Sequence, residues 1–233
     1  MIVMVSNNTG WHTHCLARET GKLGHLFSAD GWKRPFPWLP YALDNGAFSC
    51  WDRNTNYFDA DKWAETYPKW KQLIYKASTA TQGPLWAIVP DTPGCAAGTI
   101  VKYKAHVQQV IDAEILPAIA VQDGMTPQMV KELYPSPGVI AIGGTDEFKW
   151  GTIETWAKEF KRVHVLRCNM PDRLQYLEDL GIESCDGTGW MRGDRDQLGG
   201  LEEWARKKAE PKHYAIAPHA FRAERHGQQE WAF

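Results

Sequence analysis

Tyr41-Ala42-Leu43-Asp44-Asn45-Gly46-Ala47-Phe48 runs three apolar or aromatic residues straight into an acid, an amide and a glycine, after which apolar residues resume. A short apolar run of this kind reads as a buried strand. The glycine marks a turn, where the backbone bends sharply or another group approaches closely. Asp44 therefore stands at the carboxyl end of a buried strand, where α/β proteins gather their chemistry.

Working outward, other apolar runs end the same way. Residues 2–5 lead into Ser6-Asn7-Asn8, and 86–89 into Pro90 and Asp91. Residues 115–121 lead into Gln122-Asp123-Gly124, 139–142 into Gly143-Gly144-Thr145, and 163–166 into Arg167-Cys168-Asn169. Residues 182–185 lead into Asp186-Gly187-Thr188-Gly189, and 214–217 form a further candidate strand. Between these runs the spacing predicts helices over 61–76 (with a kink or break at Pro68), 96–112, 171–180 and 200–208. Thr126 followed by Pro127 signals a helix start running to 133, and Thr152 is expected to cap a helix to 161.

Seven or eight βα units in 233 residues fit a single (β/α)8 TIM barrel spanning 1–233. The alternative, an open flavodoxin-like sheet, uses fewer strands. In a barrel, Asp44, Asp91, Gln122, Gly143-Gly144 and Asp186 share one rim, the catalytic face.

Composition narrows the class. Hydrophobic residues at 43% and charged residues at 23% are ordinary for a globular chain. A formal net charge of −2 gives no bulk attraction to nucleic acid, although a local basic patch depends on distribution. The five cysteines are scattered, odd in number and lack Cys-x-x-Cys spacing, which favours free thiols and a cytoplasmic setting. The amino terminus reads as a strand and not a signal peptide, and no run approaches a membrane span. Twelve tryptophans read mainly as core and pocket filling. Trp32 and Trp38 differ, because they bracket Lys33 and Arg34 on a loop where aromatics and cations together suit stacking on bases and holding phosphates.

An aspartate after a strand is commonly a cap or turn residue. Three acids and an amide at four strand ends are harder to explain that way. Two facing carboxylates suit chemistry at an acetal-like carbon, where one attacks or stabilises an oxocarbenium-like centre and the other moves protons. A third acid with an amide and backbone N–H groups suits the edge of a planar heterocycle. Gly143-Gly144 lacks the rest of a dinucleotide or phosphate-loop motif and reads as a close approach to a flat ligand. His12-Thr13-His14-Cys15 is an incomplete metal set without a distant partner, so no metal and no cofactor is expected.

These strand ends resemble a known family. Leu43-Asp44-Asn45-Gly46-Ala47-Phe48, Val121-Gln122-Asp123-Gly124 and Ala141-Ile142-Gly143-Gly144 are similar, in order, to the motifs of tRNA-guanine transglycosylases, as is Ser184-Cys185-Asp186-Gly187-Thr188. The wording over Leu43–Gly46, Val121–Met125, Ile142–Lys149 and Asp186–Trp190 is closer still to the compact phage-type (DpdA-like) DNA-guanine transglycosylases, which insert 7-deazaguanines into DNA. The resemblance covers about residues 40–195.

It implies Asp186 as the nucleophile at the sugar C1′ and Asp44 as the general base for the incoming base. Asn45, Asp91, Gln122, Gly143 and Gly144 would bind the purine, and Arg192 and Lys149 the nucleic-acid backbone; Lys33 and Arg34 join these backbone candidates from their own setting between Trp32 and Trp38. The family's Cys-x-Cys-x-x-Cys is absent, so the barrel is expected to lack the zinc-binding subdomain. That favours DNA over tRNA as polymer partner. The free partner would be a 7-deazaguanine such as 7-cyano-7-deazaguanine, with no membrane involved. The setting would be the cytoplasm, the host's if the chain is phage-encoded. Rival readings are a tRNA-acting transglycosylase or nucleoside hydrolase, a non-catalytic nucleic-acid-binding module, and an unrelated barrel enzyme acting on a sugar phosphate.

Overall fold

The computed structural model describes residues 1–6, 10–52, 54–191 and 195–207. Eight parallel strands close into one barrel. They are β1 (Ile2–Ser6), β2 (Leu23–Phe27), β3 (Tyr41–Leu43), β4 (Ala87–Ile88), β5 (Pro117–Val121), β6 (Val139–Ile142), β7 (Val163–Val165) and β8 (Ser184–Gly187). The strands follow chain order around the ring, which closes where β8 lies beside β1 with Met4 opposite Asp186. This is the (β/α)8 fold. The outer layer holds α1 (Trp11–Thr20), α2 (Ala60–Ser78), α3 (Ala96–Asp112), α4 (Pro127–Lys131), α5 (Asp146–Glu159), α6 (Pro171–Asp179) and α7 (Arg195–Lys207).

Alternation along the strands divides the core in two. One set of side chains fills the barrel: Met4, Leu26, Ala42, Trp86, Ile88, Leu116, Ala118, Ala120, Val139 and Ala141. The other faces outward, where Val3, Phe27, Leu43, Ile119 and Ile140 meet Leu16, Trp70, Val107, Ile153 and Leu174 from the helices. Inside the barrel the alanines of β3, β5 and β6 surround one large side chain, Trp86, which is fully buried.

Several sequence expectations change, among them the start of α7, which begins at Arg195 and not at 200. The barrel takes its eighth strand from β2, whose apolar pattern is interrupted by Gly24 and His25; the predicted strand at 214–217 lies outside the described residues. Gly24 is needed because a Cβ there would stand 2.8 Å from the Pro40 carbonyl oxygen. Helix α2 runs through Pro68 unbroken, held by its buried stripe Trp70, Leu73, Ile74 and Ala77. Helix α5 starts earlier than expected: Thr145 caps it by accepting from the Phe148 N–H, and Thr152 donates its hydroxyl back to the Phe148 carbonyl inside the helix. Strand β8 lies two positions later than expected, which puts Asp186 within the strand.

No helix joins β2 to β3. The loop between them covers that flank with aromatic rings instead. Trp32 packs edge-on against Phe27 and Tyr41, and Trp38 stacks on Phe36 and meets His14 edge-on. Both tryptophans are therefore wall material on the side of the barrel, not the expected platform for bases.

Trp86 fills the barrel interior, so Trp86→Ala is expected to cost about 3–5 kcal/mol in denaturant-unfolding free energy. Trp86→Phe keeps an aromatic ring, gives up the five-membered half of the indole with an N–H that has no partner among the described residues, and should cost less than Trp86→Ala.

Candidate active site

The strands present their carboxyl ends to one cavity of about 150 Å³, a size class that admits a ring-sized ligand. Each strand contributes at or just beyond its end: Ser6, Ser28, Asp44, Asp91, Gln122, Gly144, Arg167 and Asp186, in ring order from β1 to β8. Asp44, Asn45, Asp91, Gln122, Gly143, Gly144 and Asp186, picked from sequence, all line it.

Asp91 is buried and held by two amides. Asn45 Nδ2 donates to Asp91 Oδ1 at 2.8 Å and to the Val89 carbonyl at 3.0 Å. Asn45 Oδ1 accepts from the Ala47 N–H at 2.7 Å. Both N–H bonds of Asn45 are thus occupied within the protein, so this residue braces Asp91 at the cavity wall. Gln122 Nε2 donates to Asp91 Oδ2 at 2.7 Å, and its Oε1 accepts from the Gly94 and Gly144 N–H groups at 3.1 and 3.0 Å. The Gly143 N–H donates to the Val121 carbonyl at 2.9 Å. The two glycine N–H groups expected to meet a base carbonyl are therefore engaged internally.

Gly144 reaches Gln122 through a left-handed turn with φ of 70°, where a Cβ would fall 2.5 Å from Asp123 Oδ2. What remains for a ligand is the second N–H of Gln122 and the second lone pairs of Asp91. Burial pushes Asp91 up to about 6, against the Asn45 hydrogen bond, the Lys102 charge and the Gln122 hydrogen bond.

Asp44 and Asp186 face the same cavity in different surroundings. Burial, then the charges of Asp186 and Asp91, pushes Asp44 up to about 7, while the Gly46 and Asn45 N–H groups pull it down. Asp186 Oδ1 accepts from the Arg167 N–H at 2.9 Å and lies 3.2 Å from His164 Nε2. Among the described residues its Oδ2 has only the Ser6 hydroxyl, at 3.4 Å. His164 Nδ1 in turn lies 2.8 Å from Ser184 Oγ, and its ring packs on Trp86 with centroids 4.7 Å apart. His164 and Ser184 were not singled out from sequence. Their signal is register: Ser184 lies two residues before Asp186 on β8 and pairs with His164 on β7, so all three point inward.

Arg167 was also missed as a site residue. It is a non-glycine residue in the left-handed region, with φ of 57°, and its guanidinium donates to the Gly144 carbonyl at 2.6 Å. The same group lies over the Phe48 ring at 4.1 Å, linking the loops after β3, β6 and β7.

The four expected backbone-binding cations fare differently. Lys33 and Arg34 are exposed on the flank loop. Lys149 is buried in the first turn of α5 with Nζ 3.1 Å from Asp146 Oδ1, and burial together with the Arg167 charge lowers its pKa. Lys149 is therefore unavailable to an external phosphate in this conformation. Arg192 lies outside the described residues. His12 pairs with Glu202, and His14 packs among Trp11, Phe36 and Trp38. Among the described residues no group of three or more His, Cys, Asp or Glu is placed to hold a metal ion, and no helix is long and apolar enough to cross a membrane.

The folded chain keeps the Asp44 proton until about pH 7, whereas an unfolded carboxyl loses its proton near pH 4. Asp44 thus supports folding fully below about pH 4, and that support is lost as the pH rises to about 7. Asp44→Asn should accordingly be more stable than wild type at pH 8, with the gap closing at pH 4. Urea unfolding at both pH values checks this, and a gap equal at both would contradict it.

No family model matches the chain, and no curated protein matches it. Among solved structures it is similar to 3-hexulose-6-phosphate synthase from Salmonella typhimurium, at 10% identity and a TM-score of 0.51. That match covers 89% of this chain and 100% of the other. Identity this low carries the barrel fold alone.

Proposed function

We propose that the chain is a guanine transglycosylase that exchanges guanine in DNA for a 7-deazaguanine base through a covalent Asp186 glycosyl-enzyme. The observation that carries this reading is the pairing of two unlike carboxylates at one cavity. Asp186 is held by hydrogen bonds to its Oδ1, and Asp44 retains a proton up to about pH 7. The ordered motifs between residues 40 and 195 point the same way.

In the first half-reaction Asp186 bonds to C1′ as the C1′–N9 bond breaks. The electron pair passes to guanine N9 and the Asp44 proton follows it. In the second half Asp44, now a carboxylate, takes the N9 proton of the incoming base. The base nitrogen bonds to C1′, and the C1′–O pair returns to Asp186. Acid and base roles in one group require a pKa near the working pH, and Asp44 meets that requirement. Asp91 and Gln122 supply an acceptor and a donor side by side, which suits the polar edge of a planar base. A target guanine inside a duplex must first be flipped out, or be presented on a single strand.

The test is incubation with labelled guanine and either DNA or tRNA, followed by nucleoside mass spectrometry with a 7-deazaguanine supplied. Label should enter DNA, at a rate that peaks near pH 7. Asp186→Asn should lower it by at least about 10³-fold. Label entering only tRNA would overturn the DNA assignment. Release of guanine with an abasic site left in the polymer, and no base incorporated, would favour a hydrolase, and full activity of Asp186→Asn would remove the covalent mechanism.

A further inference from the structure

Beneath the rim, Ser184, His164 and Asp186 form a buried polar line inside an otherwise apolar barrel. The line is closed to solvent: His164 and Ser184 are fully buried and Asp186 is 5% exposed. A polar chain in such surroundings is stable only if each member finds its partner.

A nucleophilic carboxylate can only accept, so His164 Nε2 carries the hydrogen toward Asp186 Oδ1. The other ring nitrogen, Nδ1, is then free to accept from the Ser184 hydroxyl. With the Arg167 N–H, Oδ1 has two donors, while Oδ2 has one distant hydroxyl. The carboxylate is therefore fixed in rotation, with one oxygen tied down and the other open.

We infer that His164, oriented by Ser184, is the positioning residue that locks Asp186 Oδ1 and leaves Oδ2 as the oxygen that bonds to C1′; this rests on the transglycosylase reading above. As the Oδ2–C1′ bond forms, the C1′–N9 bond breaks, its electron pair goes to N9, and the Asp44 proton follows. Oδ1 becomes the ester carbonyl oxygen. The return step sends the Oδ2–C1′ pair back to the carboxylate as the C1′–N bond to the new base forms. The His164 and Arg167 donors favour the state in which Asp186 carries charge. They therefore help most when the sugar leaves Asp186. Without the imidazole donor, the ester accumulates relative to free enzyme.

Three variants test this. His164→Leu should lower kcat for exchange by about 100-fold, with KM for the nucleic acid falling alongside it because departure of the sugar from Asp186 becomes limiting. It should also raise the fraction of covalent protein–DNA adduct seen on a denaturing gel. His164→Gln restores a donor in the same direction and should recover at least about tenfold of that loss. A merely structural role predicts that both variants fall together, with no extra adduct, and that outcome overturns the inference.

An arm independent of activity uses 15N-histidine NMR on the wild type and on Ser184→Ala. The wild type should show His164 with its hydrogen on Nε2, and Ser184→Ala, which leaves the Asp186 acceptor in place, should keep that hydrogen while the Nδ1 resonance shifts as its hydroxyl donor is lost. A wild-type hydrogen on Nδ1 alone overturns the inference whatever the reaction. A wild type that exchanges no base, with the Nε2 hydrogen seen, sinks the transglycosylase chemistry while leaving the Ser184–His164–Asp186 line standing.

Discussion

Three carboxylates share one small cavity at the mouth of a closed barrel, and the need to hold like charges there governs the surrounding structure. Water is scarce and the charges oppose one another, so each acid has to be accommodated differently. Asp91 is surrounded by amide donors from Asn45 and Gln122, with the Lys102 ammonium on its own carbonyl at 2.8 Å. Asp186 receives a backbone N–H and an imidazole. Asp44 has no comparable side-chain donor among the described residues, and burial with the Asp186 and Asp91 charges keeps its proton on into the neutral range. One charge is bonded, one is bonded and oriented, and one is neutralised.

This division explains why the rim is built from so many glycine turns and loop crossings. The Gln122 amide can bond both Asp91 and the Gly144 N–H only because Gly144 takes a left-handed turn. The Arg167 N–H meets Asp186 while its own backbone sits in a region that L residues seldom occupy. Strained backbone beside a reactive group is kept where the surrounding contacts over-determine it. Here those contacts are the Gly144 carbonyl and the Phe48 ring.

Much of this arrangement was legible in the chain, and the reasons differ by residue. Apolar runs ending in Asp44, Asp91, Gln122, Gly143 and Asp186 exposed both the barrel and its rim, because a strand buried on both faces must place its polar residues at its end. Strand β2 was hidden by Gly24 and His25, whose reasons are tertiary: the approach of Pro40 and an aromatic flank. His164 and Ser184 were hidden because a polar residue inside a strand has no local signature; their meaning lies in register between β7 and β8. The internal partners of Asn45 and Lys149 were hidden for the same cause. Residue type suggests a ligand contact, but the partners Val89, Ala47 and Asp146 are fixed only by folding.

The small side chains of the barrel interior have a consequence of their own. Leu26, Ile88, Ala120 and Leu166 line the cavity beneath the polar groups. Ala120 stands two residues before Gln122 on one inward-facing register, as Ala42 does before Asp44. The depth of the cavity is therefore set by side-chain volume on a lower tier, and its polarity by the acids on the upper one. A larger or smaller residue on the lower tier would change the cavity's shape without disturbing the acids above it. Shape and polarity are separable in this barrel, carried on the same strands one pleat apart.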